Sequence, residues 1–273
     1  MSAGAGDAGP VTEPAAARAA RALRRHAPEL ADLPLRELGR GLENTAFAAG
    51  ELVLRVADGP DVQREAGLLE VLGPRLPLAV PVPVFADGDT GVLGYRLLPG
   101  RPLLGRTPAP GTATVLGRFL RDLHATDPDA VRGLVDEDGA DPAEWLADLD
   151  GPAELLHVVR SSVPRPSALR VVAHADLGAE HLLADGTGLT GVIDWSDCAV
   201  TDPALDFARI HRDFGPAFLA EALQAYGGLP DAGPRIEFFA RCAALEDLGY
   251  GLRTGRAEYA AAARRSLAWL FPA

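Results

Sequence analysis

The chain predicts an α+β protein with a small N-terminal antiparallel β lobe and a larger, mainly helical C-terminal lobe. Short alternating apolar segments crowd residues 34–97, helix-length amphipathic patterns dominate after residue 112, and Leu98-Pro99-Gly100 punctuates the chain between them. The lobes are therefore drawn as 14–100 and 101–273. The stretch 1–13 is small, polar and expected to be disordered.

Each element has a local reason. Dense Ala and Arg with Leu23 on one face predict a helix from about Glu13 or Pro14 through His26. Pro34 to Gly41 reads as a strand entering a glycine turn, Thr45 to Ala48 as the returning strand, and Glu51 to Val56, with its alternating Leu and Val, as a third. Ala66, Leu68, Leu69 and Leu72 give a helix over Asp61 to Leu72, and Val82 to Phe85 with Val92 to Leu97 complete the small sheet. Beyond the punctuation, Val115, Leu116, Phe119, Leu120 and Leu123 mark an amphipathic helix over Thr112 to His124. Asp127 to Pro142 is acidic and rich in turn residues, so it reads as an insertion loop near the cleft. A helix over about Asp141 to Val159 follows, with Gly151 and Pro152 as its weak point. The last helices are expected over Pro203 to Asp213, Pro216 to Tyr226, Pro234 to Leu252 and Ala257 to Leu270.

Composition narrows the function classes. A length of 273 residues with 48% hydrophobic and 23% charged side chains describes one globular catalytic unit. The apolar run Leu76 to Phe85 is interrupted by Pro77, Pro81 and Pro83, so no membrane span is expected, and the N-terminus lacks a basic-then-apolar leader. A cytoplasmic location is the expectation. Cys198 and Cys242 are too few for a disulfide framework and read as core thiols. A net charge of −12 argues against nucleic acid as a partner and suits a cationic small molecule, or simply solubility; residues 1–100 carry −3 of it and the rest −9. All 26 basic residues are Arg, which excludes a P-loop lysine and any lysine nucleophile.

The chemistry concentrates in Val171 to Ala208, where a His-x-Asp turn, a second polar residue and a later Asp sit between apolar strands. The strand Val171-Val172-Ala173 delivers His174 and Asp176 to a loop, Leu182 and Leu183 begin the next strand, and Gly191 to Ile193 delivers Asp194. Kinases lay out a phosphoryl-transfer loop in this way: an Asp receives the proton of the attacking hydroxyl, a polar side chain five positions on holds metal, and a strand-borne Asp chelates Mg²⁺. Asp176, His181 and Asp194 fit those places.

With these residues the chain resembles the aminoglycoside phosphotransferase family, small-molecule kinases that share the protein-kinase fold. The family signature His-Gly-Asp-Leu, Asn, Ile-Asp-Trp and Gly-Asp-Pro-x-x-Asp has its counterparts in His174-Ala175-Asp176-Leu177, His181, Ile193-Asp194-Trp195 and Thr201-Asp202-Pro203-Ala204-Leu205-Asp206. Two positions depart from it. Ala175 replaces Gly, which suits only a backbone without positive φ. His181 replaces Asn, an imidazole where Mg²⁺ prefers oxygen, although macrolide kinases resemble this chain in having His there.

The resemblance implies further roles. Gly39 and Gly41 would let the backbone approach phosphates, Asn44 or Thr45 would add side-chain donors, and Arg55 would stand in the place of the strand-three lysine with Glu65 as its ion-pair partner. His174 would orient the loop or hydrogen-bond to Asp202, while Asp202 and Asp206 divide loop pinning and helix capping between them. His124 reads as a core histidine with a satisfied hydrogen bond. Asp197, Glu246 and Asp247 would line an acidic substrate site or be solvated helix charges. His181 is open between metal ligand, phosphate contact and packing. The implied activity is ATP- or GTP-dependent phosphorylation of a hydroxyl on a small molecule, an aminoglycoside-like or macrolide-like antibiotic first, with Mg²⁺ as cofactor and the protein a monomer or homodimer. A metabolite kinase for choline, a sugar or an amino alcohol, and a weakly catalytic nucleotide-binding pseudokinase, are the alternatives.

Overall fold

The computed structural model describes residues 13–41, 44–57, 62–147 and 149–272. Residues 1–12 of the expected disordered stretch, and Asp61 at the expected start of a helix, lie outside these. The described chain divides into two compact units, one running to Ala66 and resuming over Val82–Leu97, the other comprising Gly67–Pro81 and everything from Leu98 onward. The segment 67–81, drawn above with the first lobe, thus clusters with the second unit.

The first unit is built on a five-stranded antiparallel sheet. Helix α1 (Ala15–His26) precedes β1 (Arg36–Arg40), β2 (Asn44–Ala49) and β3 (Leu52–Ala57); helix α2 (Val62–Leu72) starts here, and β4 (Pro83–Asp87) and β5 (Val92–Arg96) complete the order β1-β2-β3-β5-β4. Strand β3 lies between β2 and β5 and is buried at all six residues. Its two faces have different tasks. Leu52, Leu54 and Val56 join Ala19, Ala22 and Leu23 of α1 in one apolar cluster, so strand alternation assigns Arg55 to the opposite face. Arg18 fastens α1 by donating from Nε to the Thr90 carbonyl at 2.7 Å.

The second unit is mainly helical. In order it contains β6 (Arg101–Pro102), α3 (Thr112–His124), β7 (Asp136–Glu137), α4 (Pro142–Trp145), α5 (Ala153–Ser161), β8 (Val171–Ala173), β9 (Leu182–Asp185), β10 (Gly188–Val192), β11 (Ala199–Thr201), α6 (Ala204–Tyr226), α7 (Gly233–Thr254) and α8 (Ala257–Leu270). Two small sheets, β10-β9-β6 and β7-β11-β8, present the loops between them. Helices α3 and α6 approach closely at Gly117, where a Cβ would come within 2.1 Å of the Ala222 carbonyl oxygen, so only glycine fits that crossing.

Several elements differ from expectation for identifiable reasons. The helix expected over Asp141 to Val159 is two, α4 and α5, because Pro152 stands at the N-cap of the second. The acidic segment 127–142 is not a bare loop: Asp127 accepts from the Asp129 N–H to start a short 3₁₀ turn, and β7 pairs in parallel with β11. Neither β7 nor β11 was expected, since two- and three-residue strands are too short to show a period. The two helices expected around Pro216 run as one stretch, broken at Gly215 by φ +81°. Among the described residues no helix is long and apolar enough to cross a membrane.

Candidate active site

The loop after β8 is shaped by one buried carboxylate. Asp206, fully buried in the first turn of α6, accepts the His174 N–H at 3.1 Å and the Ala175 N–H at 2.8 Å. It also meets His124 Nε2 at 2.9 Å, while His124 Nδ1 faces the Tyr226 hydroxyl at 3.2 Å, giving that core histidine partners on both nitrogens. Two consecutive backbone donors reach the same carboxylate because Ala175 adopts the left-handed region, φ +65°. The condition under which Ala could replace Gly at this position is therefore not met, and a Cβ occupies a backbone conformation that favours glycine.

Asp206, not Asp202, pins this loop. Asp202 caps α6 by accepting the Ala204 N–H at 2.9 Å and pairs with Arg235 at 2.7 Å. Lying two residues before α6, it reaches that helix's first N–H groups, whereas Asp206 has entered the helix and points at β8's exit. The His174 ring likewise bonds elsewhere than expected. Its Nε2 donates to the Ile193 carbonyl at 3.1 Å, tying the loop to the residue before Asp194. Burial, the largest influence on this imidazole, holds its pKa below the usual value.

Asp176, His181 and Asp194 come together. His181 Nδ1 lies 2.7 Å from the Asp176 backbone carbonyl and 3.5 Å from Asp176 Oδ2, and its Nε2 is 3.5 Å from Asp194 Oδ2. A carbonyl only accepts, so Nδ1 carries the proton in that bond and Nε2 is the nitrogen presented to Asp194. Burial would lower the His181 pKa, but Glu180, Asp176 and Asp194 together push it up to about 8. Asp194 also has positive φ, +64°, a conformation that Asp tolerates better than most residues. Ser196 donates to its Oδ1 at 3.2 Å.

Asp176 has a partner that sequence reasoning missed. Arg209, one turn after Asp206 on α6, places Nη2 3.1 Å from Asp176 Oδ1. Burial alone would raise the Asp176 pKa, yet Arg209, then His181 and Arg212, hold it far below the usual carboxylate range. The signal lay in the spacing Asp206, Arg209, Arg212: three charges at intervals of three share one face of the helix.

The acids expected to line a substrate site are unequal. Asp247 of α7 is 2.9 Å from Arg212, which also pairs with Asp213 at 2.8 Å and Glu180 at 3.4 Å. Asp247 is thus an ion-pair partner and not an open ligand for a substrate amine. Desolvation first, then Glu180 and Asp213 against the pull of Arg212 and Arg209, push its pKa up to about 7. Asp197 and Glu246 are exposed. The Asp197 pKa is raised by desolvation and by its neighbours Asp176 and Asp194, and Glu246 lies within electrostatic range of Arg209.

The first unit holds the other expected set. Arg55 Nη1 donates to Glu65 Oε2 at 2.6 Å, both side chains being buried. Gly41 donates to the Asn44 carbonyl at 2.8 Å, and a Cβ there would lie 3.3 Å from Asn44 Oδ1, so the glycine leaves room for that side chain. Gly39 sits in exposed β1 after a bulge, with open space where its Cβ would be. Thr45 is 5% exposed within the sheet, which leaves Asn44 as the accessible donor of the two.

Among the described residues no group of three or more His, Cys, Asp and Glu side chains is disposed to hold a metal ion. A divalent ion at His181 Nε2 and Asp194 would have two protein donors and take its remaining ligands from water and a bound phosphate ester. Of these two donors the Asp194 carboxylate is the one Mg²⁺ prefers, the imidazole suiting softer metals better, and the bond from His181 Nδ1 to the Asp176 carbonyl fixes the ring.

An antiparallel β unit with a buried Arg–Glu pair, and a helical unit whose His-x-Asp loop faces a strand-end Asp, define a kinase-like phosphotransferase. The chain belongs to the phosphotransferase enzyme family, whose model matches residues 34–239. Viomycin phosphotransferase from Streptomyces vinaceus is 36% identical over 99 residues, 34% of each chain, so the match spans about a third of that relative. The structure of APH(2″)-IIIa with GDP and kanamycin superposes with a TM-score of 0.74 at 20% identity, covering 91% of this chain and 95% of that one. A macrolide 2′-phosphotransferase from Brachybacterium faecium gives 0.64 at 28% identity over 93% and 97%.

Proposed function

We propose that the protein transfers the γ-phosphoryl group of ATP or GTP to a hydroxyl of a small cationic antibiotic, of aminoglycoside-like or macrolide-like class. The observation that carries this reading is the gathering of Asp176, His181 and Asp194 at one loop mouth, 3.5 Å apart in successive pairs. The similarity to antibiotic phosphotransferases supports the substrate class, and the exposed acids Asp197 and Glu246 beside the loop suit a cation.

The residues divide the work. Asp176, ionised throughout the physiological range, accepts a hydrogen bond from the acceptor hydroxyl, aims its oxygen in line with the phosphoryl group and receives its proton as the O–P bond forms. A loose transition state makes the hydroxyl acidic only late, so orientation counts for more than basicity. Mg²⁺ held by His181 Nε2 and Asp194 would neutralise charge on the nucleotide phosphates. Arg55, aimed by Glu65, is proposed as the phosphate ligand of the first unit, and Gly39, Gly41 and Asn44 as its backbone and side-chain donors. His174 keeps Asp194 in register by holding the preceding carbonyl. The requirement for ATP or GTP supports a cytoplasmic reaction.

The test is product mass after incubation with pooled antibiotics, Mg²⁺ and either ATP or GTP. A mass increase of one phosphate on an antibiotic, abolished in Asp176→Ala while nucleotide affinity is kept, is the expected result. Phosphorylation confined to choline, sugars or amino alcohols would replace the antibiotic reading with a metabolite kinase. Nucleotide binding without turnover on any acceptor would replace it with a pseudokinase.

A further inference from the structure

Helix α6 grips the loop 174–181 at four successive points. Asp206 takes the backbone N–H groups of His174 and Ala175, and Asp213 takes the Ala179 N–H at 2.6 Å. Arg212 pairs with the Glu180 side chain at 3.4 Å. Three of these grips hold backbone or a flanking acid and thereby set the path of the loop. The fourth, Arg209, alone touches the side chain that the proposed reaction uses.

Loop path does not by itself settle the Asp176 carboxylate, whose χ1 and χ2 rotations remain free. His181 approaches Oδ2 at 3.5 Å and Arg209 approaches Oδ1 at 3.1 Å, so the two oxygens are held from different sides. Arg209 is itself a fixed post, with 15% of its side chain exposed and its helix anchored by Asp206 one turn earlier.

We infer that Arg209 is a positioning residue for phosphoryl transfer: its guanidinium, 3.1 Å from Asp176 Oδ1, fixes the rotamer of that carboxylate and leaves Oδ2 to receive the acceptor hydroxyl. The inference rests on the reading of Asp176 as the hydroxyl-orienting group. Arg209 touches neither nucleotide nor acceptor in this account, so its loss weakens turnover and not nucleotide binding. A displacement on the order of 1 Å of a reacting group costs about a hundredfold in rate, and that is the size of effect expected.

The experiment compares wild type, Arg209→Ala, Arg209→Gln and Asp176→Ala on one acceptor, with the melting temperature of each recorded. In Arg209→Ala, kcat should fall about a hundredfold while the nucleotide KM stays within about threefold. Guanidinium ion at millimolar concentration, seated in the space vacated, should restore at least several-fold. The pair Asp176→Ala and Arg209→Ala together should be no slower than Asp176→Ala alone, because a positioning residue has nothing left to position. Should Arg209→Ala fail to fold, Arg209→Gln carries the same comparison. A folded Arg209 variant with wild-type kcat, or a double variant slower by the full product of the single losses, overturns the inference. A wild type that phosphorylates no acceptor overturns the functional reading and this inference with it; a wild type that turns over beside equally active Arg209 variants overturns this inference alone.

Discussion

Replacing Ala175 by Gly should make the protein more stable. Ala175 sits at φ +65°, where a Cβ crowds the following carbonyl at a cost of about 1–2 kcal/mol. The strain persists because Asp206 receives both the His174 and Ala175 N–H groups, an arrangement available only with the chain turned this way. Glycine removes the crowding but frees the unfolded chain, returning about 0.4–1 kcal/mol. Ala175 is half-buried, so loss of its methyl matters less than either effect. The net expectation is a gain of about 0.5–1 kcal/mol, or roughly 2 °C in Tm for a chain of this size. Urea midpoints and calorimetric Tm values for wild type and Ala175→Gly measure it. Turnover should stay within about twofold, since Asp206 continues to hold the loop. A midpoint at or below that of wild type would show that the left-handed turn is unstrained, or is not the conformation the loop adopts.

Other consequences are independent of that strain. Glu65→Ala leaves the Arg55 guanidinium buried without this partner, so chemical denaturation should register a loss of about 3–5 kcal/mol; an unchanged midpoint would mean that the pair is solvated. His181→Asn exchanges a nitrogen donor for an oxygen donor, and the ratio of turnover with Mg²⁺ to turnover with Zn²⁺ should rise; an unmoved ratio would remove His181 from the metal. Asp247 has its folded pKa pushed up to about 7, so between about pH 4 and 7 the native state holds more protons than the unfolded chain and this group's contribution to stability falls as pH rises. Arg212, Arg209, Asp213 and Glu180 face it and set that balance. Asp247→Asn should therefore gain in Tm relative to wild type between pH 5 and pH 8, and a gap that is flat with pH refutes the assignment.

What could be read from the sequence followed the length scale of each interaction. The alternation of Leu52, Val53, Leu54 and Val56, and the helical spacing from Val115 to Leu123, are local patterns, and β3 and α3 appear where those patterns stand. The convergence of Asp176, His181 and Asp194 was visible because two apolar strands bracket the loop that carries the first two and a third strand leads directly to Asp194. Which of Asp202 and Asp206 takes which task was not. Both precede or open the same helix, and only the position of β8 decides which carboxylate meets the loop backbone. The φ of Ala175 was equally hidden, since alanine in a sequence announces no left-handed turn. Asp247 looked like a substrate ligand because nothing along the chain shows that Arg212, thirty-five positions earlier, reaches it.

The clamp on the loop depends on where α6 stops being straight. Asp206, Arg209, Arg212 and Asp213 all precede Gly215, at which the helix takes φ +81° and ψ −179° before Pro216 resumes it. The gripping segment is therefore a short rod that ends before the break, whereas the close crossing with α3 at Gly117 meets Ala222, beyond it. The two signs are distributed along it for a physical reason. Carboxylates occupy the positions that meet backbone N–H groups and guanidiniums those that meet acidic side chains, so each buried charge finds its complement without help from solvent. One consequence concerns the reacting group itself. Because Arg209 and Asp206 share a face one turn apart, the backbone of the loop and the carboxylate of Asp176 are referred to the same rod, and the helix that fixes where the loop runs also fixes where its acid points.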